Sequence, residues 1–349
     1  MSTRVVQWAT GSIGRTCLRA VLDSPDLDLV GLYVYSDRKA GRDAGEIARR
    51  DPTGVLATRD LDAILALDAD VVLHTPRLQI PYERHDDDIC RLLRSGKNVI
   101  TTAGNHYPLA HGPRRQAMFE AAGRDGGTTL FGTGVSPGVI GERLTMALAA
   151  TSVELDSITI DELFDASGMP SADFVFTVMG MGSDPATTDL TSGPLPRLYT
   201  TLYAETLAYL ADQLGLRDHT IEPDHHVELA AADVEVRAGT IRAGTVVATE
   251  WRWHLSAAGR RRITLAISWT MDPALPRYRG RPHWRIHLTG RPAMTVSIDL
   301  HDPADPTVRT TAGQYITAGT VRQAIPVVVA APPGVLQIPQ FAPYRYQPA

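Results

Sequence analysis

Val5-Val6-Gln7-Trp8-Ala9-Thr10-Gly11-Ser12-Ile13-Gly14, close to the start of the chain, decides the reading of everything after it. The apolar, β-branched opening reads as a strand, and the small residues behind it read as a tight turn into a helix. Ala9-x-Gly11-x-x-Gly14 is the dinucleotide fingerprint with alanine at the first glycine. Gly11 stands where backbone has to approach a pyrophosphate, and Gly14 where a helix has to pack closely on its strand. The open N–H groups at the helix start then favour phosphate charge. A glycine turn with no ligand would use the same residues, so the segment draws its weight from its place inside a βαβ unit.

That unit continues. Strands are predicted at Arg4–Trp8, Leu29–Tyr35, Val71–His74, Asn98–Thr101 and Thr128–Gly132. Helical spacing of apolar residues falls between them at Ile13–Leu22, Leu61–Leu67, Glu83–Arg94 and Pro113–Ala122. Ser24-Pro25 ends the first helix, Gly96 follows the third, and Pro113 suits a first helical position. Strands alternating with helices imply parallel pairing, hence an α/β class with a Rossmann doubly wound parallel sheet.

After about residue 150 the pattern changes. A strand at Ser157–Leu163 and a helix-like stretch at Pro196–Leu214 lead into a meander. Val247, Thr249, Trp251, Trp253 and Leu255 share one face of a strand, whereas Glu250, Arg252 and His254 share the other. Ala257-Ala258-Gly259 turns that strand back into Arg262–Thr270. The expectation is a second α+β domain with a largely antiparallel sheet. The predicted division is a dinucleotide-binding domain over 1–150, completed by a helix over 313–331, a substrate-binding and dimerisation domain over 151–312, and an extended tail over 332–349.

The 349 residues are 44% hydrophobic and 21% charged, with a net charge of −5, which describes an ordinary globular chain and argues against a general nucleic-acid binder. The two cysteines, Cys17 and Cys90, have no zinc-type spacing and read as small buried hydrophobes of a reducing compartment. No signal-like or membrane-length run stands out, so a cytoplasmic protein without membrane or metal is expected. His225-His226, beside Pro223, reads as a solvated loop rather than a metal site. His85-Asp86-Asp87-Asp88 reads as acid in a helix's first turn, favoured by the dipole alone.

The second strand ends in Tyr35-Ser36-Asp37-Arg38-Lys39, where an NAD-selective site usually carries a carboxylate. Ser36, Arg38 and Lys39 suit a 2′-phosphate instead, and Asp37 would oppose it if it pointed inward. The reading is NADP, with NAD possible. Loops at other strand ends should line the same crevice: His74-Thr75-Pro76, the stretch Ala103-Gly104-Asn105-His106, and Gly132–Gly138 with Ser136 and Pro137. With Ala9, Thr10, Gly11, Ser12, Ile13 and Gly14 these make the candidate cofactor set.

The chain resembles the dihydrodipicolinate-reductase-like superfamily, and more closely its branch of native amine dehydrogenases and 2,4-diaminopentanoate dehydrogenases. The resemblance is carried by the opening fingerprint, Gly41-Arg42-Asp43-Ala44-Gly45, Gly96-Lys97-Asn98-Val99-Ile100, Gly132–Gly138, Met179-Gly180-Met181-Gly182, and Ala331-Pro332-Pro333-Gly334. It implies a Rossmann domain, a dimerising sheet domain, and reductive amination of a carbonyl by ammonia with NAD(P)H. Two departures stand out. Asp161–Pro170 lacks the histidine pair and lysine of the dihydrodipicolinate reductases. The loop after Gly-Lys-Asn-Val has Asn105 and His106 where amine dehydrogenases of this type usually place a glutamate, so these two become the catalytic candidates. His106 could move a proton in the neutral range. The substrate would be a small apolar ketone or aldehyde, with Phe164, Asp165, Met169, Phe174, Phe176 and Trp269 as pocket candidates. An imine or enoate reductase without ammonia incorporation, and a non-catalytic NADP-sensing protein, are the alternatives.

Overall fold

The computed structural model describes residues 2–191, 193–305, 307–338 and 342–346, so part of the predicted tail lies outside the described residues. The chain forms two compact units. The first runs up to Arg143 and is rejoined from His301, and the second spans Leu144–Leu300 with the chain's end.

In the first unit, β1 (Thr3–Trp8), β2 (Leu27–Tyr33), β3 (Ala57–Thr58), β4 (Val71–His74), β5 (Asn98–Thr101) and β6 (Thr129–Gly132) are joined by a last strand, Gly334–Val335. The seven lie in the order last strand–β6–β5–β4–β1–β2–β3, all parallel. Order reverses between β1 and β4, which is where a doubly wound sheet opens its crevice. Helices α1 (Ser12–Leu22), α2 (Ala44–Ala48), α3 (Leu61–Ala66), α4 (Asp86–Arg94), α5 (Pro113–Gly126) and a later helix, Ala312–Val329, accompany the sheet. Side chains alternate along β1, so Val5 joins a core with Leu18 and Val321 while Val6 joins another with Ile89 and Phe119. Both faces are therefore apolar, as continuous β-branched runs require.

The Gly-Lys-Asn segment proves to be a latch between strands. Asn98 donates its amide to the Asp70 carbonyl at 2.8 Å and accepts the Thr129 N–H at 2.9 Å, tying β4, β5 and β6 together. Lys97 is buried and donates to the Leu65 carbonyl at 2.7 Å. Asp43 of the Gly41–Gly45 segment caps α2 through the Gly45 N–H and gathers the Thr53 and Gly54 N–H groups.

In the second unit, α6 (Thr145–Ala149) precedes β7 (Glu154–Asp165), α7 (Pro194–Leu214), β8 (Thr220–Leu229), β9 (Val234–Val236), β10 (Gly239–Ile241), β11 (Val246–Ala257), β12 (Arg260–Thr270), β13 (Trp284–Arg291) and β14 (Met294–Ile298). β9 and β10 form a small ribbon, and the other six strands form one sheet in the order β14-β13-β7-β12-β11-β8. Every neighbour pair in that sheet is antiparallel except β7 with β12. Ala258 (φ 50°) and Gly259 (φ 69°) close the β11–β12 hairpin with two left-handed residues, the turn that matches strand twist. α7 packs on the Trp251–Trp253 face, where Trp253 donates its indole N–H to Thr200 at 3.1 Å.

One expectation fails here. His225 and His226 are not in a loop but in β8, paired with β11, and the His225 ring stacks on Trp251. Pro223 hid that strand, since proline argues against a ladder position; β8 is an edge strand, where proline is tolerated.

α4 and α5 come together at Gly126, where an added Cβ would fall 1.9 Å from the Leu93 carbonyl oxygen. Alanine for glycine in a helix ordinarily stabilises by about 0.5–1 kcal/mol. Gly126→Ala should do the reverse and lower the unfolding free energy by roughly 1–3 kcal/mol in a urea titration, as overpacking does.

Candidate active site

The fingerprint turn is strained and tightly held. Ala9 stands at φ 72°, a left-handed position that costs a non-glycine residue about 1–2 kcal/mol. The compensation comes from Gln7, fully buried in mid-strand. Its amide donates to the Ala9 carbonyl at 3.0 Å and to Thr75 Oγ1 at 2.8 Å, while Thr75 Oγ1 donates to the Trp8 carbonyl at 3.0 Å. The carboxyl ends of β1 and β4 are thereby joined. Gly14 fits beneath because it has no side chain: a Cβ there would stand 2.3 Å from the Ala9 oxygen and 2.8 Å from Thr75 Oγ1. Gly11 precedes α1 with no side-chain cap and no acid in the first turn, so the helix's N–H groups are available to an anion. Ser12 is exposed, whereas the Ile13 side chain packs into the core and offers only its backbone.

Beside this turn lies a groove of about 460 Å³. Ala9, Thr10 and Gly11 line it, with Tyr35, Ser36 and Lys39 from the end of β2, and Thr75, Pro76, Arg77 and Gln79 from the end of β4. Its lining has two cations and no carboxylate. Lys39 Nζ donates to the Thr10 carbonyl and hydroxyl, both at 2.9 Å, and burial together with Arg15 and Arg42 lowers its pKa. Asp37 is turned out into an ion pair with Arg59, so it does not oppose an anion in the groove. Arg38 is exposed and is not among the lining residues. Tyr35 accepts the Trp8 indole N–H at 2.8 Å, and Trp8 stacks on Tyr33 with centroids 3.8 Å apart. A phosphate-sized helix start, a carboxylate-free wall and the small residues of the turn fit a dinucleotide.

His74 is buried instead of lining the groove. Its Nδ1 is 3.0 Å from Thr101 Oγ1, its ring meets that of His85, and burial holds its pKa well below the usual imidazole range. The loop after β5 is built from left-handed positions, Gly104 (φ 84°) and Asn105 (φ 61°). A Cβ at Gly104 would collide with the Tyr82 hydroxyl at 2.0 Å, the same hydroxyl that accepts the Asn105 N–H at 3.3 Å. Asn105 is buried with its Oδ1 accepting from Arg115 at 3.1 Å, so the amide is directed into the protein. His106 is also buried, and its carbonyl accepts from Gln337 at 2.9 Å. Ala103 is buried as well and donates its N–H to Thr101 Oγ1 at 3.1 Å.

The Gly132–Gly138 loop makes room for this one. A Cβ at Gly132 would stand 2.4 Å from the Asn105 carbonyl oxygen, and one at Gly138 would stand 3.5 Å from His106 Cε1. Pro137 is buried and Ser136 half-buried. Sequence reasoning did not find Gln7, Tyr82, Asp86 or Arg115. A lone glutamine in an apolar strand was the available signal for the first.

In the second unit the rings of Phe164, Phe174, Tyr199 and Trp251 surround Trp269, with centroids 5.9, 6.4, 5.4 and 5.7 Å away. Tyr199 and Trp251 are additions to the expected set. Phe176 lies apart from these, against Gly182 and Gly239. Asp165 is exposed and closes a turn by accepting the Ser167 N–H at 2.9 Å, and Met169 follows on that turn. Among the described residues, no group of three His, Cys, Asp or Glu side chains could hold a metal ion, and no helix is long and apolar enough to cross a membrane.

The family model for the dihydrodipicolinate reductase N-terminus matches residues 5–79. An amine dehydrogenase of Streptomyces virginiae is 30% identical over 342 residues, covering 95% of this chain and 93% of that one. The solved amine dehydrogenase of Mycobacterium smegmatis superposes with a TM-score of 0.74 at 20% identity, over 96% of this chain and 95% of that one. Biliverdin reductase of Synechocystis, solved with biliverdin and NADP+, superposes with a TM-score of 0.52 at 13% identity, over 94% and 89%. Likeness at these identities shows a shared fold.

Gln7→Leu keeps the side chain's bulk and leaves Thr75 and the Ala9 carbonyl without their donor. It should cost roughly 1–3 kcal/mol in urea unfolding. A fluorescence titration should also show weaker dinucleotide binding, because the turn is no longer held.

Proposed function

The chain belongs to the amine dehydrogenase family, and from that premise we propose that it aminates a small apolar ketone or aldehyde with ammonia, using NADPH. Carbonyl and ammonia condense with loss of water, and the resulting iminium carbon accepts a hydride. A nicotinamide dinucleotide supplies that hydride when bound. The turn at Ala9–Gly14 and the start of α1 take the pyrophosphate. The preference for NADPH over NADH rests on one observation: the groove wall presents Lys39 and Arg77 and no carboxylate, while Asp37 is held outside by Arg59. Lys39 replaces Arg38 as the first candidate for the 2′-phosphate, because it lines the groove and Arg38 does not.

The loop bearing Asn105 and His106 is the candidate catalytic loop. His106 is the residue there whose side chain can take up and release a proton. The rings around Trp269 wall the carbonyl partner, and their apolar character suits a substrate without a carboxylate. The protein works as a homodimer in this reading.

Consumption of NADPH with cyclohexanone or a short aldehyde should require ammonium, and amine should accumulate in step with oxidised cofactor. Consumption that ignores ammonium overturns the reading in favour of a plain carbonyl or imine reductase. Lys39→Met should raise the NADPH constant by roughly tenfold, the worth of one charge-assisted hydrogen bond, and leave the NADH constant nearly unchanged. Equal losses for both cofactors would mean that Lys39 only braces Thr10.

A further inference from the structure

Behind the loop after β5 lies a buried ionic cluster that the proposed chemistry does not yet use. Asp86, the first residue of α4, accepts from Arg115 Nη2 at 2.8 Å. The same Arg115 nitrogen donates to Asn105 Oδ1 at 3.1 Å, and the Asn105 side chain also hydrogen-bonds Asp86. Carboxylate, guanidinium and amide thus close a ring. The Arg115 guanidinium lies over the Tyr82 face, 4.9 Å from its centroid, and Tyr82 takes the Asn105 N–H. Side chains from the turn before α4 and from α5 therefore converge on one residue, Asn105, in a left-handed conformation that L-residues seldom adopt without such support.

The next residue is His106. Its backbone is pressed against Gly132 and its ring lies against the Gly134–Gly138 turn, so a shift at Asn105 passes directly to it. A charged pair kept this dry is weak evidence for a stabilising role, because desolvation offsets most of its attraction. Its worth lies in geometry: it fixes where a loop backbone goes.

We propose that Asp86 is the positioning residue of the catalytic loop, acting through Arg115 and Asn105 to hold His106 in place. This deepens the amine dehydrogenase reading and rests on it for the identity of the loop. The groups facing Asp86 are Arg115 from α5, Glu83 from the turn before α4, Asn105 from the loop, and Cys90 one turn along its own helix. Burial is the largest influence on its carboxyl and pushes it up to about 6, with Arg115 pulling the other way. Above that pH the carboxylate is ionised and holds Arg115. Below it the acid is protonated, the ion pair is lost, and the loop is released.

Two measurements on the full chain decide this. Hydrogen exchange of the amides of residues 103–107, corrected for intrinsic rate, should rise in the wild type as pH falls from about 7 to 5, while amides of Val5–Trp8 stay protected. In Asp86→Asn the exchange should be elevated and independent of pH. With cyclohexanone, ammonium and NADPH, Asp86→Asn should lose roughly tenfold to a hundredfold in kcat/KM, as a misplaced group does, and its acid limb should become shallower than that of the wild type. The NADPH constant should stay within about twofold, and Asp86→Glu should restore part of the rate. Loop exchange in the wild type that does not respond to pH, or an acid limb unchanged in Asp86→Asn, overturns the proposal. If Asp86→Asn does not fold, the wild-type exchange profile still decides. If the wild type turns over no carbonyl at all, the amine dehydrogenase reading fails while the exchange experiment tests Asp86 independently.

Discussion

The Gln7 amide is the interaction on which the first unit's chemistry depends. It sits where strand order reverses, and it satisfies groups on both sides of that reversal, the Ala9 carbonyl and the Thr75 hydroxyl. Without it the left-handed Ala9 would stand beside buried polar atoms lacking partners, which is costly in an apolar sheet. With it, the Ala9 carbonyl is held where only glycine at position 14 can pass underneath. The close seat of α1 and the aim of its N–H groups follow from that arrangement. Alanine in place of the fingerprint's first glycine is thus tolerated because a neighbour stabilises the conformation that glycine would have adopted freely.

Much of this was legible in sequence because the signals are local. Strand and helix alternation up to Gly132, the hairpin at Ala257–Gly259, and the close packing at Gly14 all follow from periodicity and turn chemistry within a few residues. What was hidden depends on partners far along the chain. Asp86 looked like an ordinary acid in a helix's first turn, and only its meeting with Arg115, 29 residues on, makes it a buried ion pair. His225 looked like a loop residue beside proline. Its strand is visible only once the whole length of β11 is there to pair with it. The parallel pairing of β7 with β12 is hidden for the same reason, since nothing local distinguishes it from the antiparallel neighbours.

The residues after β2 show how a fold redistributes the orientations that a sequence suggests. Ser36-Asp37-Arg38-Lys39 reads in sequence as two cations compromised by an acid. In the fold the acid is removed from consideration by Arg59, Arg38 turns to solvent, and Lys39 turns inward to Thr10. The groove wall carries cations and no carboxylate, and the cation from this segment that lines it is Lys39, not Arg38. The reason is geometric: the Ser36 carbonyl accepts the Lys39 N–H at 3.0 Å in a local turn, and from there the Lys39 side chain reaches Thr10.

The glycines at 132, 134 and 138 extend the same logic to the candidate catalytic loop. Their spacing invited the idea of backbone approaching a ligand, but at Gly132 the approaching partner is the protein's own loop. A candidate site residue such as His106 needs rigid support on every side if its ring is to be held within a fraction of an ångström. Here that support is supplied by backbone from one loop and by the Asp86–Arg115–Asn105 ring from the other side. Neither is flexible chain that could follow a displaced histidine. A loop held this way can lose its alignment through a single proton on Asp86 while the parallel sheet beneath it, pinned by Asn98 and Gln7, keeps its register.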